Sequence, residues 1–335
     1  MKTIVIHEPA GFRLSAASDF YASFTPGSGM AAAATDQLTL AFRLDGTFQP
    51  VAVRLREQGR RLILDVSGSE DTAAVEKQVR RMLGLEGDTA AWFALGESDL
   101  ALGDLQREFP GFSSAAKASP YDAATWAVIA PRMNQGQAAR IKQALARELG
   151  DSIELDGRTH FVFPGPDALL SLERFPGLSD EKVTRLRGVA QAARDGLLDA
   201  DHLRGLGEQR ALAHLQTLRG VGPWAASHIY FRGAAPPDGL PTAEPRVLHG
   251  LASAYRLRTP SIETFQRIAT GWRPFRMWVC VLLMRHLGRT PGWHAPGLAD
   301  ERAAAGRALG RRTPRPVAAA PSHELPLFPG LISAR

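Results

Sequence analysis

Leu218-Arg219-Gly220-Val221-Gly222-Pro223-Trp224-Ala225-Ala226 is the stretch whose reading decides the fold. Residues 208–217 before it carry apolar side chains at helical spacing. Two glycines then flank one valine, and Pro223 suits the first turn of a second helix, because its missing N–H is unneeded there and its φ is already helical. That helix runs on through Trp224, Ile229 and Phe231. A turn of this kind between two helices leaves amide groups free at a helix start, with no Cβ on the glycines to hold a ligand off. It is a place for a phosphate, although one G-x-G is equally an ordinary helix–helix turn.

Composition fits such a partner. The chain has 335 residues and a formal net charge of +6, which favours an anion; an arginine-rich genome gives the same balance. The 44% hydrophobic content is enough for a globular core of more than one domain. The single cysteine, Cys280, excludes a disulfide framework and a four-cysteine iron–sulfur cluster. No signal peptide and no apolar run of membrane length is read, so the expected location is cytoplasmic, with no membrane contact.

Along the chain, residues 38–44, 50–55 and 61–66 alternate as strands, with Asp45-Gly46 as a hairpin turn, and 72–83 follows as a helix. This predicts a small N-terminal unit over 1–90, an antiparallel sheet with one face covered. From 91 to 290 the pattern turns helical. Ser119-Pro120-Tyr121-Asp122 opens a helix with a capping-box-like start, Pro131 ends or kinks it, and 135–149 is a further helix. Residues 151–166 read as a linking segment. Lys182, Arg185, Arg187 and Arg194 on a helix from 180 read as a basic face, either solvated or reaching an anion. The Pro/Ala/Arg-rich stretch 291–335 reads as a disordered tail.

Three of these segments together resemble the helix-hairpin-helix DNA glycosylases, in the 3-methyladenine DNA glycosylase II branch. They are the hairpin at Leu218–Ala226, the Ser119-Pro120 helix start, and Trp272-Arg273-Pro274-Phe275-Arg276, which is similar to the family's closing W-x-P-[WY]-R element. The resemblance implies an α+β fold. A sheet domain similar to one half of the TATA-binding protein would precede an all-α glycosylase domain. It implies a monomer that grips double-stranded DNA through Gly220, Val221 and Gly222, flips out a damaged base and hydrolyses its glycosidic bond. Pro131 and Arg132 stand where the family has Gln-Gln, and Arg132 or Met133 would fill the vacated duplex; the alternative for Arg132 is a phosphate contact from a loop. Trp224 and Tyr121 would wall the base pocket. Met284 stands near the place of a further family tryptophan, and Trp224 reads equally as a core residue. The family's hairpin also holds a monovalent cation on backbone carbonyls, here near Leu218 and Val221; no other cofactor is implied.

Breaking an N-glycosidic bond builds positive charge on the sugar, so the site needs an ionised carboxylate beside it. The register Leu240-Pro241-Thr242-Ala243-Glu244-Pro245-Arg246-Val247-Leu248 resembles the family's F-P-A-x-D-L-x-L and sets Glu244 on the catalytic Asp. Glu caps a helix less well than Asp, so capping does not explain the acid. Its extra methylene leaves two expectations open: a pocket rebuilt around Glu244, or a weakened or inactive DNA-binding protein on the same fold. Asp238 reads as a turn residue and as a substitute acid. Where strand-cutting relatives carry a Schiff-base lysine, this chain has Trp224, and no lysine follows Lys182. The implied enzyme is monofunctional and leaves an abasic site. In the tail, Glu324-Leu325-Pro326-Leu327-Phe328 resembles a sliding-clamp-binding peptide.

Overall fold

A computed structural model describes residues 1–7, 9–23, 31–34 and 36–290. The tail, with its clamp-like island at 324–328, lies outside the described residues. In chain order the elements are β1 (Lys2–His7), α1 (Leu14–Ser23), β2 (Ala31–Ala34), β3 (Gln37–Arg43), β4 (Pro50–Glu57), β5 (Arg61–Ser67), α2 (Thr72–Met82), α3 (Thr89–Ser98), α4 (Leu100–Glu108), α5 (Pro120–Ile129) and α6 (Gln135–Leu149). There follow β6 (Asp151–Leu155), β7 (Arg158–Val162), α7 (Pro166–Leu170), α8 (Asp180–Arg194), α9 (Ala200–Leu206), α10 (Glu208–Gln216), α11 (Pro223–His228), α12 (Pro245–Ala254), α13 (Ile262–Ala269) and α14 (Arg276–Arg289). A π-helical turn, Ile229–Ala234, continues α11. The fold is α+β, as the sequence implied. No helix among the described residues is long and apolar enough to cross a membrane.

The N-terminal strands form one antiparallel sheet in the order β1-β5-β4-β3-β2. Leu38, Leu40 and Phe42 alternate onto the face that joins the main core, with Val51, Val53 and Leu55 of β4. The opposite face is not left to solvent. Ala41 and Ala52 pack there against Ile153, Leu155 and Val162. Those three belong to a two-stranded hairpin, β6–β7, where the sequence reading placed a linking segment. Its signal was present: Asp156-Gly157 sits between two alternating runs. The hairpin is pinned to the sheet by ion pairs from Arg54 to Asp156 and from Arg43 to Asp151.

Helix α5 is the axis of the helical part, with all ten of its residues buried. Ser119 caps it, its Oγ accepting the Asp122 amide at 3.0 Å. The Asp122 carboxylate does not complete a capping box. It turns inward to the ammonium groups of Lys117 and Lys142, since two buried cations demand a counter-charge more strongly than one helix end does. Gly233, on the π-helical turn, meets the start of α5 backbone to backbone: a Cβ there would lie 2.5 Å from Pro120 Cα. This contact sets the post-hairpin segment against the start of α5.

Candidate active site

The hairpin forms as its residues dictate. Thr217 closes α10, and Gly220 takes φ +83°, a backbone conformation that side chains with a Cβ rarely adopt. Val221 is buried and fixes the turn, its amide donating to the Leu218 carbonyl at 3.0 Å. Gly222 is exposed, with nothing within 4 Å of where its Cβ would be, and Pro223 starts α11. No backbone acceptor is found among the described residues for the amides of Gly220, Gly222 and Trp224. The result is an open set of donors at the surface, flanked by the exposed Arg219 and by Arg185, which is half-buried and paired with Glu181.

Glu244 is the N-cap of α12 and only 8% exposed. Its Oε1 accepts the Arg246 backbone amide at 3.1 Å and Arg246 Nε at 2.7 Å. Its Oε2 accepts Arg246 Nη2 at 2.7 Å and Trp224 Nε1 at 3.2 Å. Burial alone would raise the pKa of this carboxyl, but the guanidinium, the amide and the indole together hold it below the usual glutamate value. Glu244 is therefore ionised at neutral pH. The indole bond matters most for the architecture: it ties the first turn after the hairpin to the acid across twenty residues of sequence.

Trp224 is half-buried, and its ring stacks on His228 with centroids 5.2 Å apart and 18° between planes. The pair is i, i+4 on one helical run, so the stack follows from helix geometry. His228 is buried, and its Nε2 has no hydrogen-bond partner among the described residues. Desolvation, followed by the positive charges of Lys117, Arg232 and Arg246, holds its pKa well below that of free histidine. The imidazole is thus a neutral backing for the tryptophan. Behind it, Lys117 is fully buried over the Trp126 ring and pushed down to about 7 by burial, while the two lysines draw Asp122 down to about 2.

The wedge candidates lie in the turn between α5 and α6. Arg132 is exposed at φ +61°, and Met133 beside it is half-buried against the core. Lys182 of α8 holds this turn: its Nζ donates to the Ile129 carbonyl at 2.6 Å and the Pro131 carbonyl at 2.8 Å. One member of the basic face therefore caps a helix C-terminus.

The structure does not gather every residue singled out in the sequence. Tyr121 is 3% exposed, packs edge-on against Phe48 and Phe163, and donates its hydroxyl to the Pro164 carbonyl at 2.9 Å. It lines a cavity of about 160 Å³ beside Arg43, Lys142 and Phe163, under the β6–β7 hairpin. Trp224 and Glu244 are not among that cavity's walls. Met284 is half-buried on α14, the helix that packs on α12. Asp238 accepts the Arg276 amide and both Nε and Nη2 of that guanidinium, at 3.3, 2.6 and 2.9 Å. It anchors the start of α14, and no bond joins it to Trp224 or Glu244. Trp272 of the closing element is buried and donates to Asp99 at 3.1 Å. Among the described residues, no three His, Cys, Asp or Glu side chains are grouped to hold a metal. Arg246 and His228 are the site residues that sequence reasoning missed.

No family model matches the chain. It is 24% identical over 219 residues to a DNA-3-methyladenine glycosylase of Bacillus subtilis, across 64% of this chain and 72% of that one. It is 25% identical over 201 residues to DNA-3-methyladenine glycosylase 2 of Escherichia coli, across 58% of this chain and 65% of that one. In structure it superposes on a 3-methyladenine DNA-glycosylase from Archaeoglobus fulgidus with a TM-score of 0.72 and 19% identity, covering 87% of this chain and all of the other.

Proposed function

Starting from a chain that has the fold of the helix-hairpin-helix DNA glycosylases and aligns with their 3-methyladenine branch, we propose that it is a base-excision-repair glycosylase for alkylated purines. The observation that carries this reading is the hydrogen bond between Trp224 and Glu244. It fixes an ionised, buried carboxylate next to an aromatic face, one turn beyond an open row of amides.

Each part then has a task. The free amides of Gly220, Gly222 and Trp224, with Arg219 and Arg185 beside them, hold a strand phosphate of duplex DNA. Arg132 or Met133 enters the stack as the damaged nucleotide swings out. The flipped purine lies against Trp224, whose electron-rich face suits a base made electron-poor by alkylation. Glu244 faces the sugar and stabilises the cation formed as the base leaves, and water completes the hydrolysis. The carbonyls of Leu218 and Val221 would hold a monovalent cation, which would lend positive charge to the phosphate contact.

The reaction stops at the abasic site, because Trp224 stands in the place of an attacking lysine and two further lysines are engaged elsewhere. Lys117 is fully buried against Asp122, and Lys182 is engaged by two carbonyls. One observation favours a second reading. Arg246 occupies both oxygens of Glu244, which suits a lesion-binding protein without catalysis. The test is to incubate the protein with alkylated duplex DNA and measure free base and heat-labile sites, with borohydride added to trap any Schiff base. Release of 3-methyladenine without trapping supports the proposal. Tight lesion binding with no base released supports the second reading.

A further inference from the structure

The Glu244 carboxylate is saturated. A carboxylate offers about four lone-pair positions, and here four donors use them: the Arg246 amide and Nε on one oxygen, Arg246 Nη2 and Trp224 Nε1 on the other. Both guanidinium contacts are 2.7 Å, a two-point ion pair. In this arrangement the acid has no lone pair left for a water, and its charge is already met by a cation. A sugar cation above it would compete with Arg246 for the same two oxygens. The task assigned to Glu244 above thus requires Arg246 to leave.

Arg246 is placed to do so. It is the second residue of α12, and its side chain keeps 32% of its surface exposed, against 9% for Glu244. Among the described residues Glu244 is its recorded ionic partner. A guanidinium that leaves one anion needs another. The substrate supplies it: the 5′ and 3′ phosphates are bonded to the very sugar that Glu244 would face, so seating that sugar brings two anions to the site together. The amide dipoles of the first turn of α12 favour an anion at the same place.

Resting on the glycosylase reading, we propose that Arg246 is a transferable latch. In the free protein it holds Glu244 in position and neutralised. On lesion DNA it passes to a phosphate flanking the flipped nucleotide, which binds the strand and releases the carboxylate for the sugar. The site is then charged for chemistry only when the correct strand is seated. The same transfer accounts for a Glu here: its longer arm reaches back to a residue two places on while still capping the helix.

The test is binding, read without turnover. Dissociation constants are measured by fluorescence anisotropy over a series of salt concentrations, using duplexes with an uncleavable tetrahydrofuran abasic analogue. Two further duplexes carry a neutral methylphosphonate at the 5′ or the 3′ flanking phosphate. Wild type should lose about five- to tenfold in affinity with one of the two methylphosphonates, as for loss of one charge-assisted bond. Arg246→Ala should lose about as much on the all-phosphate duplex, show a salt slope shallower by about 0.9, and be indifferent to either methylphosphonate. Arg246→Lys should restore the slope. If Arg246→Ala does not fold, Arg246→Gln carries the same expectations. An unchanged salt slope together with an undiminished methylphosphonate penalty in the variant overturns the latch while leaving the glycosylase reading intact. Failure of wild type to bind any of these duplexes removes both.

Discussion

Replacing Glu244 by Gln removes its negative charge and one of its two acceptor oxygens. The amide keeps the size of the side chain and one oxygen, which accepts the Arg246 amide so that the N-cap survives, while its NH2 takes the place of the oxygen that accepted Trp224 Nε1 and Arg246 Nη2. The loss is the carboxylate's attraction for a cationic sugar. At a separation of about 4 Å, with the effective dielectric of about 20 suited to a mostly buried group, two unit charges attract by about 4 kcal/mol. Each 1.36 kcal/mol is tenfold in rate, so the chemical step should slow by about a thousandfold. Arg246 loses its counter-ion, but a third of its side chain reaches solvent and tempers the cost to about 1–3 kcal/mol of stability. Glu244→Asp, which shortens the arm by one methylene, should fall within about a hundredfold of wild type. The assay is single-turnover release of 3-methyladenine at saturating enzyme, with a thermal melt to confirm folding. A folded Glu244→Gln variant that releases base within tenfold of wild type would refute the reasoning, because the charge would then be doing something other than stabilising the sugar.

Three further outcomes are expected. His228→Phe should keep the stack on Trp224 and remove the unpartnered Nε2, leaving unfolding free energy equal or higher, whereas His228→Ala should lose about 3–5 kcal/mol through the cavity it opens; a Phe variant about 2 kcal/mol less stable would reveal a hidden partner for the imidazole. Lys182→Ala should unfix the Arg132 turn, with faster amide exchange at 132–134 and about three- to tenfold weaker binding to lesion DNA, and unchanged exchange would contradict the capping role. Lys117, held at about 7 in the fold against 10.5 in the open chain, means that the unfolded state carries more protons above pH 7. Stability in urea should therefore rise from pH 7 to 8.5, and that rise should be smaller in Lys117→Met; identical slopes for both proteins would show that the ammonium is not depressed.

The legible features were the local ones. The hairpin could be read because its glycines and proline are demanded by backbone geometry within a few residues, and Gly220 does take the left-handed conformation. The helix start at Ser119 and the N-cap position of Glu244 were legible for the same reason. What escaped was set by direction and distance. Nothing in the register at 244–246 says whether Arg246 points to water or folds back onto the acid. The Lys117–Asp122–Lys142 triad joins residues five and twenty apart in sequence, and its central acid was read as part of a cap. The β6–β7 hairpin has a local signal in Asp156-Gly157, but its place over a sheet face formed a hundred residues earlier is set by packing alone. The His228 stack could have been found from its i+4 spacing to Trp224.

The central claim is that Glu244 meets positive charge on a sugar held beside Trp224. It is tested most directly by comparing affinity for two duplexes that differ at one atom: a cationic pyrrolidine abasic analogue and its neutral tetrahydrofuran counterpart. Wild type should prefer the cationic duplex by tenfold or more, and Glu244→Gln should show no preference. Equal affinity of wild type for the two, or a preference that survives in Glu244→Gln, would contradict the account.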